Sequence, residues 1–477
     1  MKAIKLFFAA LLLLTLASGA FAQRQLEKLG RGVVAVRTGT TSTYVGWRML
    51  GTDAEDIGFN LYRSANGGAA VKLNSAVLTN NCNWADTTGD FTVTNSYFVC
   101  PVTTGVEQAA SATFTLPANA TVQQFLNIPL TPPAGGTTAA SADGTSTGGP
   151  YTYNANDCSA ADVDGDGEYE IILKWDPTNS KDNSQSGYTG DTFLDCYKLN
   201  GTRLWRIDLG PNIRSGAHYM DFMVYDFDGD GKAELMCRTA PGALDSLGNY
   251  IGSALKWQNA NGTRPTFNNA DDYRTTGPNG ANGYVLAGPE FISVFNGLTG
   301  EELATTTFYP KRDPDNNSDN PDAARMNTVW GDGYGNRLDR FLAGVAFVDG
   351  IRPSGIFCRG YYTRAYVTAW DWRNGTLTKR WSFNSDPSNT SYKGQGAHSL
   401  SIGDVDGDGK DEIIYGAAVI DDNGTGLYST GLGHGDAEHF SDMDPLRAGL
   451  EVWFVHESPA SYGPNGLEMH DAKNGAL

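Results

Sequence analysis

Three stretches of the chain place carboxylates at alternate positions and close on a glutamate: Asp162-Val163-Asp164-Gly165-Asp166-Gly167-Glu168-Tyr169-Glu170, Asp226-Phe227-Asp228-Gly229-Asp230-Gly231-Lys232-Ala233-Glu234 and Asp404-Val405-Asp406-Gly407-Asp408-Gly409-Lys410-Asp411-Glu412. Side-chain oxygens from the alternating acids, a backbone carbonyl further on and a final carboxylate make an oxygen-only cage, with glycine to turn the chain. Such a cage suits a hard divalent cation, and Ca2+ takes about six to eight oxygens at roughly 2.3–2.6 Å. The candidate ligands are Asp162, Asp164, Asp166, Glu168 by its carbonyl and Glu170, then Asp226, Asp228, Asp230, Lys232 by its carbonyl and Glu234. Asp404, Asp406, Asp408, Lys410 by its carbonyl and Glu412 complete the set. Without a cation the packed acids would raise one another's pKa and cost stability. The spacing begins as in an EF-hand, but the last acid arrives early. It leads into Ile171-Ile172-Leu173, Leu235-Met236-Cys237 or Ile413-Ile414-Tyr415, apolar runs of β type rather than a helix. The expected role of the ions is structural, pinning a loop to the strand that follows.

A weaker fourth copy is Asp442-Met443-Asp444, with Glu451 displaced by an insertion. Six residues before the first aspartate of each copy stand Asn156, His398 and Asp436, with Met220 as the exception, so the preceding strand is expected to close some cages. His434-Gly435-Asp436 with His439 is the remaining cluster, open to either a metal-ligand or a plain hydrogen-bonding role. Gly-x-Ser-x-Gly, His-Glu-x-x-His and Gly-rich phosphate loops do not occur.

A second element repeats beside the acidic loops. Tyr197–Trp205, Val294–Gly300 and Trp370–Gly375 place Asn-Gly or Thr-Gly turns between apolar flanks, which reads as a hairpin. Repeated all-β units with almost no helical periodicity point to a propeller or a solenoid. The acidic loops start 64 residues apart at Asp162 and Asp226, then 178 apart at Asp404. That spacing is too long for solenoid coils and predicts a β-propeller. Before it, Val33–Val36, Tyr44–Leu50, Phe59–Tyr62 and Tyr97–Cys100 read as strands of a small N-terminal β-sandwich-like domain. Cys82 and Cys100 flank one such segment and either pair or remain buried thiols. The reading divides the chain into residues 1–22 as a signal peptide, 23–120 as the sandwich, 121–150 as a linker or surface excursion, and 151–477 as the propeller.

Lys2 and Lys5, an apolar run from Leu6 to Ala17 and Ala20-Phe21-Ala22 form an export signal with cleavage after Ala22, too short for a membrane span of about 20 residues. The mature protein is expected outside the cytoplasm, secreted or periplasmic, and monomeric. The 477-residue chain carries a formal charge of −19, which becomes −21 without those two lysines. With no basic run, nucleic acid and anionic membranes are excluded as main partners. An anionic ligand would need cations added to the protein.

Several longer stretches are familiar. Asn156-Asp157, the first acidic loop, Lys174-Trp175-Asp176-Pro177-Thr178-Asn179-Ser180-Lys181-Asp182-Asn183, Ser215-Gly216-Ala217-His218, Cys358-Arg359-Gly360-Tyr361-Tyr362-Thr363-Arg364 and Gly431-Leu432-Gly433-His434-Gly435-Asp436 closely resemble the family-11 polysaccharide lyases that cut rhamnogalacturonan I. The resemblance runs from about Arg31 to the last residue. It implies a small N-terminal β-domain, an eight-bladed calcium-loaded propeller and β-elimination between rhamnose and galacturonate. Asn156 and Asp176 fall on family positions that contact sugar, Asp157 joins the metal ligands, and several Ca2+ ions are the expected cofactors. Tyr361 and Tyr362 serve either as stacking faces for sugar rings or as core. The family's basic catalytic pair is expected beyond Leu477, because the run Leu467–Leu477 reads as a first strand and Asn-Gly turn that stops in mid-hairpin. A lyase whose catalytic groups lie further on is therefore expected, with this stretch inactive alone. The rival reading is a non-catalytic calcium-dependent propeller that binds glycans or proteins.

Overall fold

A computed structural model describes residues 24–477; the export signal read at residues 1–22 lies outside the described residues. The regular structure of the described residues is almost all antiparallel sheet, joined by long turns and loops. Its contacts form two compact units, one of Glu27–Phe308 and one of Tyr309–Leu477 with residues 24–26.

The first unit opens with two small sheets. Val34–Arg37, Thr43–Gly46 and Asn83–Asp86 form one; Gly58–Ala65 and Asn95–Thr103, paired from Gly58↔Val102 to Ala65↔Asn95, form the centre of the other. Alternation in the strands sends Val45, Phe59, Leu61, Tyr97 and Val99 into one shared core while Tyr44 stays exposed. The strand expected to run to Leu50 ends at Gly46. Its continuation is diverted because the Leu50 amide donates to Asp53 Oδ2 at 2.7 Å, and Asp53 is itself held by both Arg31 nitrogens at 2.6 and 2.8 Å. Cys82 and Cys100 are free thiols, so the bridge left open by the sequence is not made. The stretch read as linker is folded in part: Gly136–Thr138 pairs with Gly149–Tyr151.

Four sheets of four strands follow, each joined in sequence order. The first is Tyr153–Ala161, Glu170–Pro177, Phe193–Tyr197 and Arg203–Asp208. The second is Phe222–Tyr225, Glu234–Thr239, Phe291–Asn296 and Glu302–Thr307. In the second unit, Phe341–Ala346, Ser354–Arg359, Tyr366–Arg373 and Thr376–Asn384 make the third, and Ser401–Gly403, Glu412–Ile414, Ala418–Ile420 and Gly426–Ser429 the fourth. Gly435–Ser441, Glu451–His456 and Leu467–Asp471 make a three-stranded fifth.

The repeat extends to register. The third strand of each four-stranded sheet slips against the fourth at Cys196/Tyr197, Val294/Phe295, Ala369/Trp370 and Val419/Ile420, the same place each time. A fourth-strand tryptophan then reaches the hairpin of the next sheet. Trp205 Nε1 donates to Gly297 O at 2.6 Å and Trp381 Nε1 to Asp422 O at 2.8 Å. Gly300 and Gly424 lie under those indoles, where a Cβ would come within 2.8 and 2.7 Å of ring atoms. Ile172, Leu194, Ile207, Val224 and Leu235 pack the first sheet on the second; Ile356, Val367, Ala369, Ile413 and Ile420 pack the third on the fourth.

The longest helix among the described residues, Ala323–Trp330, is capped by Asp322 and ended by Gly331 at φ +93°. Arg325 ties it down, placing Nε 2.7 Å from Asp313 Oδ2 and Nη2 2.7 Å from Asp315 Oδ2, while Arg364 grips the other Asp315 oxygen at 2.7 Å. The Arg325 guanidinium holds the Asp313 carboxyl down at about 2. Its folded-state value lies below the unfolded one, so the stabilisation is complete above about pH 4 and fades as pH falls through about 2. Arg325→Ala is expected to cost about 1–2 kcal/mol at neutral pH, after solvent screening of a partly exposed arginine, and acid melts of variant and parent should converge near pH 2.

Candidate functional site

Each acidic loop is first folded by its own backbone. Asp162 Oδ1 accepts the Gly165 amide at 2.7 Å and Oδ2 the Gly167 amide at 2.8 Å; Asp226 does the same with Gly229 and Gly231, and Asp404 with Gly407 and Gly409, at 2.7–3.0 Å. The glycines carry φ of +82° to +92°, the left-handed region that a β-carbon disfavours. The closing glutamate clamps the other side: Glu170, Glu234 and Glu412 each accept, through Oε2, the amide of the loop's second residue at 3.1, 3.0 and 2.8 Å.

The remaining carboxylate oxygens crowd together. One oxygen each from Asp162, Asp164 and Glu170 lies within 4.8 Å of the others, as do those of Asp226, Asp228 and Asp230, and of Asp404, Asp406 and Glu412. Glu412, Asp421 and Asp422 form a further group, with the last two unforeseen from the sequence. Burial, reinforced by the neighbouring aspartates, raises Glu170 to about 7, Glu234 to about 9 and Glu412 to about 8. Glu412 Oε1 is buried with no hydrogen-bond partner. Oxygen-only donors at this density could hold a metal ion, and the residues fit one.

Other expected ligands stand differently. Asp166 and Asp408 lie outside the tight trios and accept the amides of Glu168 and Lys410 at 2.8 and 2.9 Å. Asp230 belongs to its trio and accepts the Lys232 amide at 2.8 Å. In the fourth copy, Glu451 Oε2 takes the amides of Met443 and Asp444 at 2.9 and 3.2 Å, as the intact glutamates do for their loops. Among the described residues, Asp442, Asp444 and Glu451 do not form a trio of that tightness.

The gap between Asp226 and Asp404 has a structural cause. It contains the whole third sheet, where the equivalent turn, Phe347–Pro353, carries one aspartate and Arg352 instead of an acidic loop, and Arg380 joins them from the fourth strand. Asp349 is bridged by Arg352 at 3.0 Å, Arg380 lies 3.0 Å from Asp371, and Ser354 Oγ donates to Asp371 at 2.6 Å. Guanidinium groups balance the carboxylates of that sheet.

A mixed cluster forms where His398, His434, Asp436 and Glu457 converge within 4.8 Å. His434 Nδ1 is 2.5 Å from Gly396 O, which only a donor can satisfy, so Nε2 presents a lone pair; it is buried without a hydrogen-bond partner. Burial pushes His434 down to about 4, keeping the ring neutral and able to ligate. The hydroxyls of Tyr361 and Tyr362 hold the two His398 nitrogens at 3.1 and 3.0 Å. The sequence places His398, His434 and Asp436 here; Glu457 is an addition, 23 residues beyond His434 and adjacent only through strand pairing. His439 is exposed against Trp453 and takes no part. Tyr361 is fully buried and stacked on His434, so it cannot offer a face to a sugar.

Asn156 and Asp157 occupy a β-bulge, two exposed residues opposite Lys174 between the pairs Ala155↔Trp175 and Cys158↔Leu173. Bulges re-aim side chains and recur beside functional sites. Lys174, only 2% exposed, bonds the Asp157 carboxylate. Asp176 is on the same strand as Lys174, and register sets it opposite Asn154; it is buried, its pKa is raised by that burial, and Oδ1 has no partner. Asp221, which no local motif announces, adds a partly buried carboxyl that loss of hydration, reinforced by Asp157 and opposed by Lys174, raises to about 7. The result is a polar patch with more acid than base and unsatisfied oxygens, fit for hydroxyl-rich ligands or a cation.

Repeated four-stranded sheets, three of them with an acidic loop before the second strand, define an all-β protein of acidic-loop repeats. The family profile described as rhamnogalacturonan lyase family 11, C-terminal domain, matches residues 125–477, and that described as rhamnogalacturonan I lyases beta-sheet domain matches residues 24–116. The chain belongs to rhamnogalacturonan lyase family 11. It is 48% identical over 456 residues to rhamnogalacturonan exolyase YesX of Bacillus subtilis (strain 168), covering 95% of this chain and 66% of that protein. It is 48% identical over 458 residues to rhamnogalacturonan endolyase YesW of the same organism, covering 96% and 65%. The chain thus spans just under two thirds of these relatives. The solved structure of the Bacillus licheniformis rhamnogalacturonan lyase PL11 superposes with a TM-score of 0.80 at 50% identity, over 95% of this chain and 69% of that one.

In metal-free protein the three closing glutamates hold protons that the unfolded chain releases, so stability should fall as pH rises from about 5 toward 9. A divalent cation displaces those protons and should flatten the slope. Thermal melts across this range with chelator, then with excess cation, measure both.

Proposed function

We propose that the protein is a secreted lyase of pectin, cleaving the rhamnose–galacturonate bond of rhamnogalacturonan I by β-elimination, with its sheets arranged as blades of a calcium-binding β-propeller. The observation that carries this reading is the match along nearly the whole chain to an exolyase and an endolyase of that polymer, at 48% identity to each. The in-order sheets and repeated tryptophan contacts support blades; the oxygen-only loops support Ca2+, which supplies positive charge and rigidity when bound.

The reaction asks three things of a protein: neutralise the uronate carboxylate so that the C5 proton becomes acidic, remove that proton, and release the 4-O group. This chain's residues bear on positioning. Asn156, lifted out of the strand by the bulge, presents an amide that can donate to and accept from sugar hydroxyls. Asp176 holds an unpartnered oxygen ready to accept from a hydroxyl, and Lys174 anchors the bulge from below through Asp157. Asp157 and the His398, His434, Asp436 and Glu457 group extend the metal ligands beyond the loops.

Asp176→Ala is expected to weaken binding of rhamnogalacturonan I oligosaccharides by about tenfold or more, a lost buried hydrogen-bond acceptor being worth about 1–3 kcal/mol. Calorimetry with calcium present reads this, and binding no tighter than to a neutral glucan would overturn the substrate class. Ultraviolet absorbance of an unsaturated uronate tests the reaction; new ends lacking that chromophore would overturn β-elimination.

A further inference from the structure

The acidic loops share a local motif, yet what faces them across the sheet differs. The third strand of each sheet presents one residue to the loop's closing glutamate, immediately after the conserved slip in register. In the first sheet it is Lys198, whose Nζ lies 2.6 Å from Asp164 Oδ2 and 3.5 Å from Glu170 Oε1. An ammonium already bridges two of the three carboxylates in that trio. The stem of Lys232 also packs on the same loop, at Gly165. In the second sheet the residue is Asn296, paired with Glu234 and neutral.

In the fourth sheet it is Asp421, whose carboxylate joins Asp422 within 4.8 Å of Glu412. Three cations stand nearby, and none sits in the trio of Asp404, Asp406 and Glu412: Arg24 pairs with Asp411 at 2.8 Å. Lys410 Nζ is held by Asp408 and Asp422 at 2.9 and 3.0 Å, and Lys473 Nζ donates to the Asp406 carbonyl at 2.7 Å. Glu412 is fully buried, Oε2 is taken by the Val405 amide, and Oε1 is left without a partner among these carboxylates. A buried, unpartnered carboxylate oxygen with two acidic groups on each side calls for a cation at that point.

We propose that this third-strand position sets the calcium affinity of each loop: Asp421 adds a ligand and makes the loop at 404–412 the tightest, Lys198 competes for the carboxylates at 162–170 and makes that loop the weakest, and Asn296 leaves 226–234 between them. The proposal rests on the reading of the loops as calcium sites. Its physical basis is the sign of one side chain. A unit charge about 4 Å away in a partly hydrated site is worth on the order of a hundredfold or more in binding before salt and side-chain motion reduce it. The loop of weakest affinity is the one that continues the strand bearing the Asn156 bulge, so falling calcium empties first the loop attached to the polar patch.

The test is a calcium titration of the chelated whole protein, followed by hydrogen exchange in peptides covering each loop. Protection at 404–412 is expected at free calcium about tenfold or more below that needed at 162–170. Lys198→Met should lower the midpoint at 162–170 by about tenfold while 404–412 stays within about twofold, the two being separate sites. Lys198→Gln repeats the test with a polar end retained, and Asp421→Asn should raise the midpoint at 404–412 by about tenfold. Parent midpoints that coincide, or lysine variants that leave 162–170 unmoved, overturn the ranking. Absence of calcium-dependent protection at every loop overturns the calcium reading itself, a distinguishable result.

Discussion

Carboxylates gathered at the entrance to the second strand are the constraint from which the rest follows. The first aspartate of each loop is spent on backbone amides and the closing glutamate on one more, so the turn is made before any ion arrives. A first-aspartate oxygen, those of one or two following aspartates and, in two loops, one from the closing glutamate nevertheless lie within 4.8 Å of one another, where mutual repulsion is strong. Such an arrangement is stable only with positive charge supplied from somewhere. Different sheets supply it differently: loops shaped for a cation in the first, second and fourth, and arginines at Asp349 and Asp371 in the third.

That constraint organises the sheets because each loop opens directly into a buried second strand. Glu234–Thr239 and Ser354–Arg359 are buried along their whole length, so an error in the turn would displace a core strand. The register slip in the third strand and the tryptophan of the fourth pass the geometry to the next hairpin, where glycine alone leaves room for the indole. Local turn chemistry is in this way coupled to packing between neighbours.

The same scaffold explains why site residues sit where they do. Asn156 and Asp157 leave the pleat just before the first loop, and the buried Lys174 is the counter-charge that keeps Asp157 in place. The histidine group is built on the opposite logic, with a neutral ring oriented by the Gly396 carbonyl and tyrosine hydroxyls fixing its neighbour. Tyr361 belongs to that support and not to a sugar platform, a role decided by its complete burial.

The sequence alone determined what contiguous residues can encode. Acid spacing, glycine placement and the apolar run after each loop are set by backbone geometry within nine residues, so the loops, the hairpins and the all-β class were all legible. His398 and Asp436 were legible through their offset from the loops, and His434 through its place two residues before Asp436. Tertiary structure alone decided what crosses between strands: Glu457 beside the histidines, Asp221 beneath Lys174, the arginines of the third sheet, and Lys198 or Asp421 facing a closing glutamate. Those groups are many residues apart along the chain, and only strand register and burial bring them close. Because electrostatic strength depends on distance and on exclusion of water, their effect on the site has no signature in sequence spacing.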